Sequence, residues 1–427
     1  MSVKNKRLLV LGGKPIASYD IVEYANYKGA YTIVSDYLKK ESSPAKQIAD
    51  ECWDLSTADI DKLYEKSISN NINAVFTGIH EFNISKTLEL ANKLNLPFYA
   101  SKEQLQTTSI KSLYKELFRK FNVPVVPEFN LAKDTFEEDL EAIEFPVLLK
   151  PVDGSGGQGI SICYNRQELM DAYPKALEFS NSGKVLVEKY ITAKEATIFY
   201  IIQDGKIMLS AMADRYIGNG NEYTIPLPLL YIFPSKHQNF YIDNINQNVI
   251  DAFESIGLQN GMVFIQTFVD GEQYYLYDIG FRLTGSQEYH ILEKTCAYNP
   301  LKMMVDYALT GKMGELEVEP LIDPYLKGKS ACIITFLTKP CTIGEFKGIE
   351  EIEKIPGVIK VVKNHQGGDT IPESAIGTLN QVILRVFIVS DSFEELKLAI
   401  KEATVLFDVY SDKGESVLMP TINIEEI

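Results

Sequence analysis

From Val147 the chain reads Val147-Leu148-Leu149-Lys150-Pro151-Val152-Asp153-Gly154-Ser155-Gly156-Gly157-Gln158-Gly159-Ile160. A short apolar run of this kind suits a buried strand, and it delivers a single lysine at its end. The loop that follows holds four glycines, so it cannot continue a sheet. Glycines let a backbone approach a polyphosphate closely and aim N–H groups at its oxygens, while the lysine adds a point charge. The pattern G-x-x-x-x-G-K-[ST] is missing, so this is not a Walker A loop. The same letters would also serve a glycine-rich hairpin turn.

Charge decides where phosphate can be held. The chain has 42 basic and 58 acidic residues, a formal net charge of −16. Such a surface repels a nucleic-acid backbone, so nucleic acid is excluded as a partner and any bound phosphate needs local cations and backbone N–H groups. Five scattered cysteines (Cys52, Cys163, Cys296, Cys332 and Cys341) form no C-x-x-C pair. They indicate reduced thiols in a cytoplasmic setting and no zinc site. The apolar run ending at Gly12-Gly13 is too short for a secretory leader, and no run approaches the ~20 apolar residues that span a bilayer. With 427 residues, 45% of them hydrophobic, the chain can bury several cores without a metal or disulfide.

Residues 7–11 predict a strand, followed by Gly12-Gly13-Lys14, a helix near 16–28, and a strand at 31–35 that ends on Asp36. That is a Rossmann-like βαβ unit lacking the full G-x-G-x-x-G. A strand at 74–77 and a helix at 82–94 complete a small parallel α/β region, with Gly12, Asp36 and Glu81 expected at the carboxyl ends of its strands. A second region opens with a helix around 108–121. It contains strands at 147–150 and 185–188 and two hairpins, turning at Gln203–Lys206 and Val269–Glu272. The helix 300–310 stops at Gly311. After a polar connection at 312–329 comes a β-rich piece with strands near 331–338, 358–363 and 381–389. A helix then starts at Phe393 behind the capping box Ser392-Phe393-Glu394-Glu395.

Two further constellations carry chemistry. Val185-Leu186-Val187-Glu188-Lys189-Tyr190-Ile191 precedes Glu195, and a strand running into extended backbone can present N–H and C=O groups to a base edge, with a carboxylate beyond for ribose hydroxyls. Read alone, Glu188 and Glu195 are equally solvated strand-end charges. Gln266 and Asp278 flank the second hairpin at an even separation, so a three- or five-residue turn places both on one sheet face. Oxygen ligands on adjacent strands suit a magnesium held partly by phosphates, and Arg282 beyond them can neutralise charge on a transferring phosphoryl group. The four histidines (His80, His237, His290 and His365) have no metal spacing, and Asp214-Arg215-Tyr216 reads as an ion pair or a substrate-facing group.

In this order the pieces resemble the ATP-grasp superfamily over residues 5–320, most closely its biotin carboxylase and carbamoyl phosphate synthase branch. Gly344-Glu345-Phe346, Gly348–Ile352, Ile355–Val358 and Gly367-Gly368-Asp369 are similar to the terminal domain of L-amino-acid ligases. The resemblance implies an ATP-grasp fold, α/β and α+β. Residues 1–105 would form a Rossmann-like domain and 106–325 the ATP-grasp domain, with a lid at about 145–212. Residues 326–427 would form a C-terminal α+β domain. ATP and Mg2+ are the implied cofactors. Lys111, Lys150, Ser155, Gly156 and Gly157 would meet the phosphates, Glu188, Lys189 and Ile191 the adenine, and Glu195 the ribose. Gln266 and Asp278 would hold the metal, and Arg282 is the catalytic candidate. The expected activity is ATP-dependent carboxylate–amine ligation through an acyl phosphate, on small-molecule substrates, in a homodimer. Purine-pathway or carboxylase-type chemistry and a non-catalytic ATP-binding regulator are the alternatives. The family normally has two carboxylates and an asparagine where this chain has Gln266, Asp278 and Gly280, so a two-metal site is doubtful unless another acid such as Glu288 compensates.

Overall fold

The computed structural model describes residues 3–131, 136–152, 159–180, 182–218 and 227–427. The expected phosphate contacts Ser155, Gly156 and Gly157 lie outside the described residues.

Strands β1 (Arg7–Leu11), β2 (Tyr31–Asp36), β3 (Glu51–Asp54) and β4 (Ala74–Thr77) form an all-parallel sheet in the order β3-β2-β1-β4. Leu8 to Leu11 are all fully buried because helices cover the sheet, which explains an apolar run without alternation. Chain order reverses between β1 and β4, and a crevice opens beyond their carboxyl ends. Asp36 does not offer itself to a ligand there. Its carboxylate accepts the Gly13 N–H at 2.8 Å and the Ser43 hydroxyl at 2.9 Å, and pairs with the buried Lys46 at 3.1 Å. Gly13 has to be glycine, since a Cβ would stand 2.3 Å from Ser43 Oγ.

The expected helix at 108–121 is two helices, Lys102–Ser109 and Lys111–Lys120, broken at Ile110, whose backbone is extended. Lys111 therefore starts the second helix. Next comes an antiparallel sheet of β5 (Glu128–Phe129), β6 (Val147–Pro151), β7 (Ser161–Cys163) and β8 (Val185–Lys189), in the order β5-β8-β6-β7. It packs Val147, Leu149 and Val187 against Leu169 and Ala176 of the helix Arg166–Glu178.

The largest sheet takes strands from both halves of the chain. Its members are β9 (Lys194–Gln203), β10 (Lys206–Ile217), β11 (Pro228–Phe233), β12 (Gly261–Asp270), β13 (Gln273–Gly280) and β14 (Ser330–Leu337). After β15 (Cys341–Lys347) come β16 (Val358–Lys363), β17 (Thr370–Ile371), β18 (Val382–Ser390) and β19 (Asp408–Ser411). The eight-stranded order is β13-β12-β9-β10-β11-β14-β18-β16, and β17-β15-β19 form a small separate sheet. The helix Phe393–Leu406 covers β14 and β18, starting where Ser392 Oγ accepts the Glu395 N–H at 3.2 Å. The helix Pro300–Thr310 ends as expected at Gly311, whose φ of 77° suits glycine.

Candidate active site

Where β6, β8 and the helix Lys111–Lys120 meet, a buried charge cluster forms. Glu188 accepts from Lys150 through one carboxylate oxygen and from Lys115 through the other. Lys115, fully buried, also bonds Glu128 at 2.7 Å, and Arg119 closes the group on Glu128 at 2.6 Å. Glu188 pairs directly with Leu148 and Glu128, so Lys150, two residues along β6 from Leu148, is its diagonal neighbour. Burial would raise the Glu188 pKa, but Lys150 and Lys115 outweigh it and hold the carboxyl below the ordinary range. Lys150 moves down to about 8, because burial and the charge of Lys111 outweigh the attraction of Glu188.

Lys115 was not anticipated. It lies one turn beyond Lys111, on a helix that also buries Tyr114, Leu117 and Phe118, and that spacing was the available signal.

Gln266 and Asp278 face each other across β12 and β13, by a different route from the one expected. The turn between the strands holds only two residues, Gly271 and Glu272. A bulge between Gln266 and Thr267 shifts the register by one and restores the pairing. Asp278 is raised above the ordinary carboxylate range by burial; Lys111 and Arg282 draw it back, and Glu81 pushes it further. Lys111 thus acts on both Lys150 and Asp278 and joins the two clusters.

At position 280 the pattern departs physically. A Cβ on Gly280 would stand 2.4 Å from the Phe264 ring, its cross-strand partner, so an aromatic fills the space that a side chain would need. The Arg282 guanidinium lies 4.8 Å from the centre of that ring, donates to the Leu283 carbonyl at 3.0 Å, and meets Glu81 at 3.5 Å. Glu288, the other candidate acid, is wholly buried and accepts from Thr284 and Ser286 through Oε2; among the described residues no hydrogen bond joins it to Gln266 or Asp278. One carboxylate and one amide oxygen fit a single magnesium that takes its remaining ligands from phosphate and water. They do not make a protein cage, and among the described residues no group of three or more His, Cys, Asp or Glu side chains is placed to hold a metal.

Glu195 lies on the same side of the sheet, at the start of β9. It pairs with Arg215 and accepts the Tyr277 hydroxyl at 2.8 Å. Burial alone would lower the Arg215 pKa, but Tyr277, Tyr231 and Glu195 raise it well above the ordinary value, so it stays charged. Asp214, beside it, accepts the Ser235 hydroxyl at 2.5 Å.

A separate cavity of about 620 Å³ is lined by Lys14, His80 and Gly285 together with Asn364, His365 and Arg385. Partial burial, then the charges of Arg282 and Lys14, hold the His80 pKa below the ordinary value.

Residues 111–213 match the family described as the carbamoyl-phosphate synthase L chain, ATP binding domain. Among curated relatives, the 2-oxoglutarate carboxylase small subunit of Hydrogenobacter thermophilus is 28% identical over 208 residues, 46% of this chain. This chain covers 43% of that relative's length. The L-amino acid ligase of Bacillus licheniformis superposes with a TM-score of 0.74 at 18% identity, covering 96% of this chain and 99% of that one. The biotin carboxylase domain of the Hydrogenobacter thermophilus 2-oxoglutarate carboxylase, solved as a dimer with MgADP and bicarbonate, gives 0.77 at 19% identity, covering 96% and 91%. Over nearly its whole length the chain has the ATP-grasp fold of these structures, and residues 111–213 within it carry the matched ATP-binding domain.

Proposed function

We propose that the chain is an ATP-dependent carboxylate–amine ligase working through an acyl phosphate, of the kind that joins amino acids. The observation that carries this reading is the buried cluster of Lys150 and Lys115 on Glu188 together with the facing pair Gln266 and Asp278, the charge of Lys111 acting on both Lys150 and Asp278. ATP supplies the phosphoryl group, and a magnesium ion on Asp278 and Gln266 supplies charge neutralisation at its phosphates.

In this reading Lys111 and Lys150 hold the phosphates, together with the loop carrying Ser155, Gly156 and Gly157. The backbone from Lys189 to Ile191 receives the adenine edge. Glu188 acts through Lys150, which it holds in place while the nucleotide site is empty. Glu195, fixed by Arg215 and Tyr277, offers an oxygen to the ribose. Arg282, backed by the Phe264 ring and steadied by Glu81, aims its charge at the transferring phosphoryl group as the substrate carboxylate attacks. An amine then displaces phosphate. The protein works as a cytoplasmic homodimer, for which sedimentation is the check.

The test is release of ADP with a panel of carboxylates and amines, with hydroxylamine added to trap an acyl phosphate. Dependence of ADP release on one carboxylate, with hydroxamate formed from it, is the expected result. The filled position at Gly280 supports a second reading, a regulator that holds ATP without turning it over. Tight ATP binding with no hydroxamate from any carboxylate would favour it.

A further inference from the structure

Arg385 lies in the middle of β18, opposite Thr335 on one neighbouring strand and Val362 on the other. Its side chain reaches the wall of the 620 Å³ cavity, yet the residue is only 5% exposed. Among the described residues its hydrogen bond is a long one from Nη1 to Gln287 Oε1 at 3.4 Å, and Nε has no partner there. Among the described residues no carboxylate forms an ion pair with it. Glu288 acts on it without a direct contact, its Oε2 taken up by Thr284 and Ser286. On the same wall, Asn364 Oδ1 is also buried without a partner.

A buried guanidinium that no carboxylate pairs directly is costly to a folded protein. Its planar fork suits a carboxylate or phosphate held by two parallel hydrogen bonds. The cavity lining also includes His80, next in sequence to the Glu81 that meets Arg282 at 3.5 Å, and Gly285, three residues beyond Arg282. A volume of about 620 Å³ is that of a small-molecule site, far more than one carboxyl group fills.

We propose that this cavity takes a substrate with two anionic groups, one activated at the Arg282 end and the other, a carboxylate or phosphate, anchored by Arg385. The proposal rests on the ligase reading for calling the occupant a substrate. It makes Arg385 a specificity-determining residue.

The experiment titrates the full chain, with a non-hydrolysable ATP analogue present, with matched pairs of acids: succinate against butyrate, glutamate against glutamine, and O-phosphoserine against serine. The wild type is compared with Arg385→Met and Arg385→Lys. At least one doubly anionic member should bind tenfold or more tightly than its partner, and the pair that does so separates carboxylate from phosphate. Arg385→Met should reduce that preference below threefold, Arg385→Lys should keep part of it, and ATP-analogue affinity should stay unchanged. No preference in any wild-type pair, or a preference intact in Arg385→Met, overturns the proposal. Should Arg385→Met fail to fold, the wild-type pairs and Arg385→Lys decide. A preference found without ADP release would sink the ligase reading and leave this one standing.

Discussion

Replacing Lys115 with methionine removes the cation at the centre of the buried cluster while keeping most of its volume. At 2.7 Å from Glu128 and with an effective dielectric near 20, the gross attraction is about 6 kcal/mol. Methionine avoids the desolvation of a fully buried ammonium, which offsets part of that. Removing one partner of a buried pair typically costs about 3–5 kcal/mol, so ~3 kcal/mol of local stability is the expected loss. Trp53 is buried in the N-terminal sheet and its fluorescence is blind to this region. Hydrogen exchange at the amides of Val185–Lys189 is the better assay. The pH dependence gives a second check. Because the Glu188 pKa is held below its ordinary 4.5, its stabilisation is present above that value and is lost as pH falls through the folded-state pKa. With Lys115 gone that pKa rises, so acid opening should begin at higher pH. Protection reduced by less than 1 kcal/mol, with the acid profile unmoved, would refute the reasoning.

Lys150→Ala should weaken binding of an ATP analogue by about 2–4 kcal/mol in calorimetry, the scale for truncating a buried charge partner. Gln266→Glu should lower the magnesium concentration needed for half-maximal turnover, whereas Gly280→Asn should destabilise by about 1–3 kcal/mol in thermal unfolding, because Phe264 occupies the space, with partial recovery in Gly280→Asn/Phe264→Ala. Arg282→Ala should slow single-turnover acyl-phosphate formation by roughly 100-fold and leave ATP affinity nearly unchanged, with Arg282→Lys rescuing only part.

Local periodicity made most elements legible: β1, β4, β16 and the helix Pro300–Thr310 fall where the apolar runs and Gly311 put them. The facing pair Gln266 and Asp278 was legible too, although a bulge rather than a longer turn produces it. What the sequence hid depends on distant chain meeting in space. Glu81 and Arg282 touch across 201 residues, and no local pattern marks that contact. The joining of β14, β18 and β16 to the central sheet is likewise a non-local pairing. Lys115 reads as one more lysine on a charged helix until Glu188 and Glu128 close over it. Arg385 left a fainter trace, a single cation inside the apolar run Val382–Val389.

Acyl-phosphate formation is the central claim, and oxygen transfer measures it most directly. With the carboxylate that supports ADP release labelled with 18O, attack on the γ-phosphoryl group and later displacement by the amine move one labelled oxygen into inorganic phosphate. The account predicts one 18O in each phosphate released. Phosphate carrying no label, alongside continued ADP release, would mean that water rather than the carboxylate takes the phosphoryl group, and would contradict it.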